Sequence, residues 1–261
     1  MSNLKLTLAY DGTRYHGWQV QPGVPTIQGE LERTLGRILD DPVSAHGSGR
    51  TDRGVHADGQ VAHVLTRRRV RPETLASGLN ALLPPDIRVR GIEEVPLRFH
   101  ARHSAVSRMY RYHVSRSEVV DPFRHRYVYS FRRPLDARAV DRATGLLPGS
   151  HDFSSFCAGA AEVDDRVREV YEAGWDMGPE EWVFSIRANG FLRSMVRTIV
   201  GTLLEVGTGR RQWDDLRRIL EARCRSEAGP AAPPSGLRLV RVDYPGDPPA
   251  GRAREKNNFS I

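Results

Sequence analysis

The chain has 261 residues, of which 39% are hydrophobic, which indicates a folded protein with one large domain or two coupled halves. It has no apolar run of about 18 residues or more, which excludes a membrane-spanning helix, and its two cysteines exclude a disulfide framework or a cysteine-based zinc site. The formal charge of +7 favours a polyanionic partner. No apolar signal segment opens the sequence, so we expect a cytoplasmic protein.

The first half is predicted to run β-α-β-α-β, which places two helices on one side of a sheet. Alternating apolar residues predict its strands, and apolar residues at helical spacing predict its helices. Thr26 is a suitable N-cap for the first helix, and Pro72 suits the first turn of the second. The strands are predicted over 3–10, 60–65 and 87–92, and the helices over 27–39 and 72–83.

The second half loosely repeats that plan. Its strands are predicted over 108–115, 167–175, 182–188 and 237–242, with the middle two forming a hairpin. Its helices are predicted over 137–147, from 191 to a stop at Gly207, and over 213–222, while 151–156 and 159–165 are predicted loops. The chain therefore divides into an N-terminal half over 1–104, a C-terminal half over 105–245 and a polar tail over 246–261.

A glycine-rich loop in the first half presents a carboxylate ahead of a strand. Gly47, Gly49 and Gly54 are expected to supply unusual backbone angles or close approaches, and Asp52 lies between Arg50 and Arg53. Neighbouring arginines favour the ionised form of such a carboxylate. The loop is thus a candidate catalytic site, although a surface turn with a structural ion pair would have the same composition.

The span from 98 to 133 combines basic and aromatic residues. It has nine arginines against two acids, Glu118 and Asp121, and seven aromatic rings. Guanidinium groups suit phosphates and aromatic rings suit unstacked bases, so this span predicts a nucleic-acid contact. Because the chain has only two lysines against 37 arginines, arginine number alone is a weak guide, and a solvated basic strand pair over a buried aromatic face is the alternative.

Three segments together resemble the signature motifs of the tRNA pseudouridine synthase A family. They are GSGRTDRGVH (47–56) with GQVAH (59–63), FHARHSA (99–105) with RMYRY (108–112), and FLRSMVRTIVG (191–201). The opening YDGTRYHGWQ (10–19) and the HDF at 151–153 also fit, so the resemblance runs in order over about residues 3–245.

The resemblance implies an isomerase that converts uridine to pseudouridine at positions 38, 39 and 40 of the tRNA anticodon stem-loop. It implies no cofactor and no metal, a homodimer that holds one tRNA across both subunits, and an α+β fold. That fold is the pseudouridine synthase fold, a mixed, mostly antiparallel central sheet flanked by helices, with two similar halves around a cleft.

The same resemblance implies roles for individual residues. Asp52 matches the essential nucleophile, Tyr110 the aromatic that packs on the target uracil and assists removal of its C5 proton, and Arg197 the basic partner of the aspartate. Arg50 matches a residue that enters the RNA stack and helps to extrude the base, a step that needs a filler and a stacking pocket. Arg53 and His56 of the same loop are further candidate substrate contacts.

Each assignment has an alternative from the residues alone. Tyr110 on a strand also suits the core, and His56 and His63 with Asp52 would form a metal site only with a geometry that the strand alternation disfavours. Arg53 and the pair Arg193–Ser194 depart from the usual motifs, and neither departure is expected to affect the assigned roles. The alternative functions are a non-catalytic RNA-binding or tRNA-folding chaperone, and a synthase for a different RNA uridine.

Overall fold

A computed structural model of the chain describes residues 1–159 and 165–247. Over these residues ten strands form one sheet, and its main path runs β4-β1-β3-β10-β5-β9-β8-β7. The strands are β1 (Ser2–Tyr10), β2 (Ala45–Gly47), β3 (His56–Thr66), β4 (Ile87–Val95), β5 (Ser107–Ser115), β6 (Tyr129–Ser130), β7 (Gly149–Asp152), β8 (Val167–Met177), β9 (Glu181–Ala188) and β10 (Leu237–Asp243). All neighbours on the main path are antiparallel except β3 and β10.

Five α-helices accompany the sheet in the described residues: α1 (Ile27–Leu39), α2 (Pro72–Leu82), α3 (Ala137–Thr144), α4 (Met195–Gly207) and α5 (Asp215–Ala222). Their apolar faces and the sheet share one continuous core, in which Leu6, Leu31 and Ile199 are fully buried. Thr26 caps α1 by accepting a hydrogen bond from the Gly29 amide at 3.2 Å, as predicted. The predicted α+β architecture with a mostly antiparallel sheet is confirmed.

The strand β10 joins the two halves of the sheet. It pairs in parallel with β3 through Leu239 and Ala57, and antiparallel with β5 through Leu239 and Tyr110. The chain returns from its C-terminal region to complete the centre of the sheet. A boundary at residue 104 would therefore separate the paired strands β3 and β10 of one sheet, and the division into two halves stays a prediction.

Several predicted boundaries are wrong. The helix predicted from residue 191 begins at Met195, because Ser194 has a left-handed backbone conformation with φ of 58°. The loop predicted over 151–156 is wrong at its start, since β7 extends to Asp152 and pairs with β8. The short strands β2 and β6 were not predicted, because two or three residues carry no periodicity.

Two predicted segments lie partly outside the described residues: positions 160–164 of the polar loop and positions 248–261 of the tail. Within the described part of the chain, every helix is too short or too polar to cross a lipid bilayer.

Candidate active site

The residues that precede Asp52 in its loop are hydrogen-bonded to buried side chains of β3 and β1. Gln60, which is fully buried on β3, accepts a hydrogen bond from the Ser48 hydroxyl at 2.7 Å and donates one to the Gly49 carbonyl at 2.9 Å. The Thr51 hydroxyl lies 2.8 Å from the buried Tyr10 hydroxyl. Because these contacts hold the residues just before Asp52, the carboxylate is presented from a rigid loop.

The three glycines of this loop have different roles. Gly54 adopts φ of 77°, which glycine accepts without strain. Gly47 is required by a close approach, since an added Cβ would lie 2.6 Å from the Trp18 ring. The expectation is wrong for Gly49, which has no positive φ and has open space where a Cβ would lie.

The Asp52 carboxylate is held from the opposite half of the chain. Its Oδ2 accepts a hydrogen bond from Arg197 Nη1 at 3.0 Å and another from the Ser194 hydroxyl at 2.9 Å. Among the described residues, no donor reaches Oδ1. The ion-pair partner of Asp52 is therefore Arg197, 145 positions away, although composition pointed to the flanking Arg50 and Arg53.

Both donors belong to the first turn of α4. Ser194 is its N-cap and Arg197 its third residue, so the carboxylate lies at the helix end where the macrodipole favours a negative charge. Arg197 is itself fixed, because its Nε donates to the Ala232 carbonyl at 2.8 Å while the Ala232 amide donates to the Arg197 carbonyl at 2.9 Å. One guanidinium thus connects α4, the segment before β10 and the carboxylate.

Ser194 was missed as a functional residue. Its departure from the usual motif was expected to leave the assigned roles untouched, and the structure contradicts this because the hydroxyl contacts Asp52 directly. A left-handed non-glycine residue marks local strain, and such strain is concentrated at functional sites. No sequence signal reveals this backbone conformation.

Tyr110 contributes an aromatic ring from β5. The ring is almost completely buried and meets Phe191 edge to face, with centroids 5.0 Å apart. Burial raises the pKa of Tyr110, and the nearby Tyr10 and Asp52 raise it further, so the phenol stays protonated at neutral pH. Its hydroxyl has no hydrogen-bond partner among the described residues, which leaves it free for a ligand.

The remaining predicted residues are distributed around this centre. Arg50 is exposed, and its Nε donates to the Gln19 side chain at 3.1 Å. Arg53 is also exposed. His56 is buried at the start of β3, where Nδ1 accepts from the Gly12 amide at 3.1 Å and Nε2 lies 3.0 Å from the Arg126 carbonyl. The structure therefore brings Asp52, Arg197 and Tyr110 together, and places His56 in the wall of a separate cleft.

This arrangement can perform nucleophilic or proton-transfer chemistry. A carboxylate with one oxygen anchored and the other without a protein donor can attack or accept a proton without first breaking its support. A neutral phenol and an aromatic ring near it provide a flat surface for a planar substrate.

Comparisons with known proteins give one consistent answer. A family model described as tRNA pseudouridine synthase matches residues 7–104 and 143–245. A tRNA pseudouridine synthase A of Exiguobacterium sibiricum is 47% identical over 245 residues, which cover 94% of this chain and 98% of the relative. The protein of the same name from Halalkalibacterium halodurans is 48% identical over 239 residues, 91% of this chain and 90% of the relative.

A solved structure is also similar, though remotely. The archaeal box H/ACA Nop10–Cbf5 complex contains a chain that matches 77% of this one, with 44% of its own length covered, at 14% identity and a TM-score of 0.31.

Proposed function

Since the chain belongs to the tRNA pseudouridine synthase family, we propose that Asp52 is the nucleophile with which this isomerase converts uridine to pseudouridine in tRNA. In the overall reaction the bond between uracil N1 and ribose C1′ breaks and a bond from C5 to C1′ forms. The C5 proton is released and N1 gains a proton, so the product is an isomer of the substrate and no oxidant or reductant is consumed.

The observation that carries this proposal is the support of the Asp52 carboxylate. Arg197 and Ser194 both bind Oδ2, which orients the carboxylate and places a guanidinium beside it. Oδ1 is left as the reactive oxygen. Whether it attacks the ribose or the base, or removes a proton from the sugar, the step requires this ionised oxygen.

Tyr110 is proposed to stack on the target uracil and to assist transfer of the C5 proton. The position of the ring next to the half-buried Phe191, and the hydroxyl that has no hydrogen-bond partner among the described residues, support these roles. Arg50 is proposed to fill the position of the extruded base, and its exposure beside the Asp52 loop supports this. Arg53, which is exposed, is proposed as a further substrate contact of this loop. The position of His56 gives no support to the contact predicted for it, because its ring is buried on β3 and both nitrogens face protein groups.

The substrate site proposed within tRNA is the anticodon stem-loop at uridines 38, 39 and 40. We also propose a cytoplasmic homodimer in which one tRNA contacts both subunits. The proposals rest on the similarity to tRNA pseudouridine synthase A proteins and on the net charge of +7, which favours a polyanionic substrate. Primer-extension mapping of pseudouridine in the product, and sedimentation of the free protein, test them separately.

The decisive experiment measures tritium release from C5-labelled uridine in an unmodified tRNA transcript. Wild type is expected to release tritium. Asp52→Asn is expected to release none while its tRNA affinity stays within about tenfold, because the amide has the same shape but is not a nucleophile. Asp176→Asn, an exposed aspartate on β8, is the matched control and is expected to behave as wild type.

Two results would contradict the proposal. Tritium release by Asp52→Asn at the wild-type rate would remove Asp52 from the chemistry. Tight tRNA binding with no release by wild type would favour the non-catalytic chaperone or a different RNA substrate.

A further inference from the structure

A second cleft, separate from the Asp52 site, opens across the ends of β1, β3, β4 and β10. Its volume is about 800 Å³, and neither Asp52, Tyr110 nor Arg197 lines it. Five arginines from separate parts of the chain converge on it: Arg14, Arg88, Arg90, Arg126 and Arg238. We call it the arginine cleft.

Three aspartates also line the arginine cleft, and each has a structural partner. Asp86 accepts a hydrogen bond from Arg14 Nε at 2.9 Å, and Asp58 pairs with Arg238 at 3.3 Å. Asp11 accepts hydrogen bonds from the Thr13 amide at 2.9 Å and from the Tyr127 hydroxyl at 3.0 Å. The acids therefore neutralise two of the five arginines and maintain the local fold.

The other three arginines have no carboxylate partner among the described residues. Arg88 Nη1 donates to two main-chain carbonyls, those of Pro84 at 2.8 Å and Ile87 at 2.7 Å. Arg90 and Arg126 are exposed, and the described residues provide neither side chain with a hydrogen bond or an ion pair. Three guanidinium groups around one concave surface are suited to anionic oxygens, above all to phosphate, which guanidinium binds through paired hydrogen bonds.

We propose that the arginine cleft binds the phosphate backbone of the RNA substrate at a point away from the nucleotide that reacts. The proposal rests on the proposed function, which supplies the RNA. The cleft and the catalytic loop share one structural link, because Tyr10 lines the cleft and its hydroxyl contacts Thr51, next to Asp52. The cleft is therefore connected to the loop that carries Asp52, which supports contact of one RNA with both.

The aromatic residues of the cleft favour recognition of phosphate over recognition of bases. Tyr127 packs its ring against His56, with centroids 5.1 Å apart, and uses its hydroxyl to bind Asp11. Tyr10 packs against Trp18, with centroids 6.4 Å apart. Since both rings already contact other rings of the protein, the guanidinium groups are the main groups that the cleft offers to a ligand.

The test is the salt dependence of tRNA binding by the double variant Arg90→Gln/Arg126→Gln. With unmodified tRNA transcript as the probe, we expect at least about a tenfold loss of affinity near physiological salt. The slope of log Kd against log salt should fall by about 1.4–1.8, because each of the two lost phosphate contacts removes roughly 0.7–0.9 of slope. The variant should keep its kcat at saturating tRNA and show a raised KM.

Arg37→Gln/Arg138→Gln is the matched control. These exposed arginines lie on α1 and α3 and have no ion pair among the described residues. Their substitution removes the same total charge as the double variant in the cleft. The control is expected to lose less than about threefold in affinity. An equal loss in both double variants would overturn the proposal, since only net charge would then matter.

The remaining outcomes separate this proposal from the proposed function. If wild type releases no tritium, the function fails, and the binding measurement still decides whether the cleft contacts RNA. If wild type releases tritium but Arg90→Gln/Arg126→Gln binds tRNA with unchanged Kd and slope, the cleft proposal fails alone. Pyrophosphate that binds wild type and not this variant, with tRNA binding unchanged, would assign the cleft to a small phosphate ligand and overturn the RNA assignment.

Discussion

Removal of the Ser194 hydroxyl should test whether the support of Asp52 contributes to catalysis. The hydroxyl donates to Oδ2 at 2.9 Å, beside the donor from Arg197 at 3.0 Å. In Ser194→Ala the carboxylate keeps one donor of two, so it loses part of its orientation. Activity should therefore fall.

The size of the effect follows from the exposure of the site. A hydrogen bond to a charged group contributes about 1.5–3 kcal/mol, and the Asp52 side chain is 27% exposed in the free protein, so water replaces part of what is lost. The lower end, about 1.5 kcal/mol, corresponds to roughly a tenfold fall in kcat/KM. The fall should be in kcat, because the hydroxyl supports the nucleophile.

Two further variants separate the hydrogen bond from the backbone strain. Ser194→Gly also lacks the hydroxyl, but glycine accepts φ of 58° without the cost of roughly 1 kcal/mol that other residues incur. Ser194→Asn tolerates the same backbone and offers an amide donor. If the hydrogen bond matters, the glycine variant should be more stable than the alanine variant and equally slow, while the asparagine variant should recover part of the rate.

The assay is tritium release over a range of tRNA concentrations, together with thermal unfolding of each variant. Wild-type kcat in Ser194→Gly would refute the reasoning, because the hydroxyl would then serve only the fold. The reasoning would also be refuted if the loss of kcat in the three variants followed the decrease in their unfolding temperature.

Three other predictions test the surrounding structure. Arg197→Lys should lower kcat/KM at least about tenfold in the tritium assay, because one ammonium cannot reproduce the guanidinium that donates both to Asp52 and to a main-chain carbonyl; a wild-type rate would contradict this. Gly201→Ala should lower the free energy of unfolding by roughly 2–3 kcal/mol, since the added Cβ would lie 1.8 Å from the Pro230 carbonyl oxygen, whereas Gly91→Ala, with open space, should change it by less than about 0.5 kcal/mol. His63 has its pKa lowered from 6.5 to about 4 by burial and by the neighbouring imidazoles, so the unfolded state binds its proton more readily. Stability should therefore decline as pH falls from about 6.5 to 4, by up to roughly 3 kcal/mol, and His63→Asn should flatten this part of a denaturation curve measured against pH.

Periodicity was sufficient to predict most of the fold. The alternation of Leu4, Leu6 and Leu8 marks a strand whose one face is buried, and the apolar stripe of α1 marks a helix on that face. The same method could not place β10, because a strand pattern says nothing about its neighbours. Its position between β3 and β5 follows from long-range pairing that only the folded chain shows.

The candidate site was predictable only in part. The motifs pointed to Asp52, Tyr110 and Arg197, and the structure brings all three together. The role of Ser194 was not predicted, because it depends on a left-handed backbone at the start of a helix, where the sequence predicted a regular helical turn. The arginine cleft was not predicted, because its residues are spread along the sequence and share no motif.

The position of β10 also explains why the active site depends on the complete sheet. Asp52 precedes β3, Tyr110 lies on β5, and Leu239 of β10 pairs with residues of both strands. Ala232, just before β10, fixes the guanidinium that orients the carboxylate. Because these contacts are made by residues far apart in sequence, the nucleophile, its aromatic neighbour and its ion-pair partner reach their relative positions only when the C-terminal strand has entered the sheet. The geometry of the site therefore depends on the complete sheet and not only on the loop that contains Asp52.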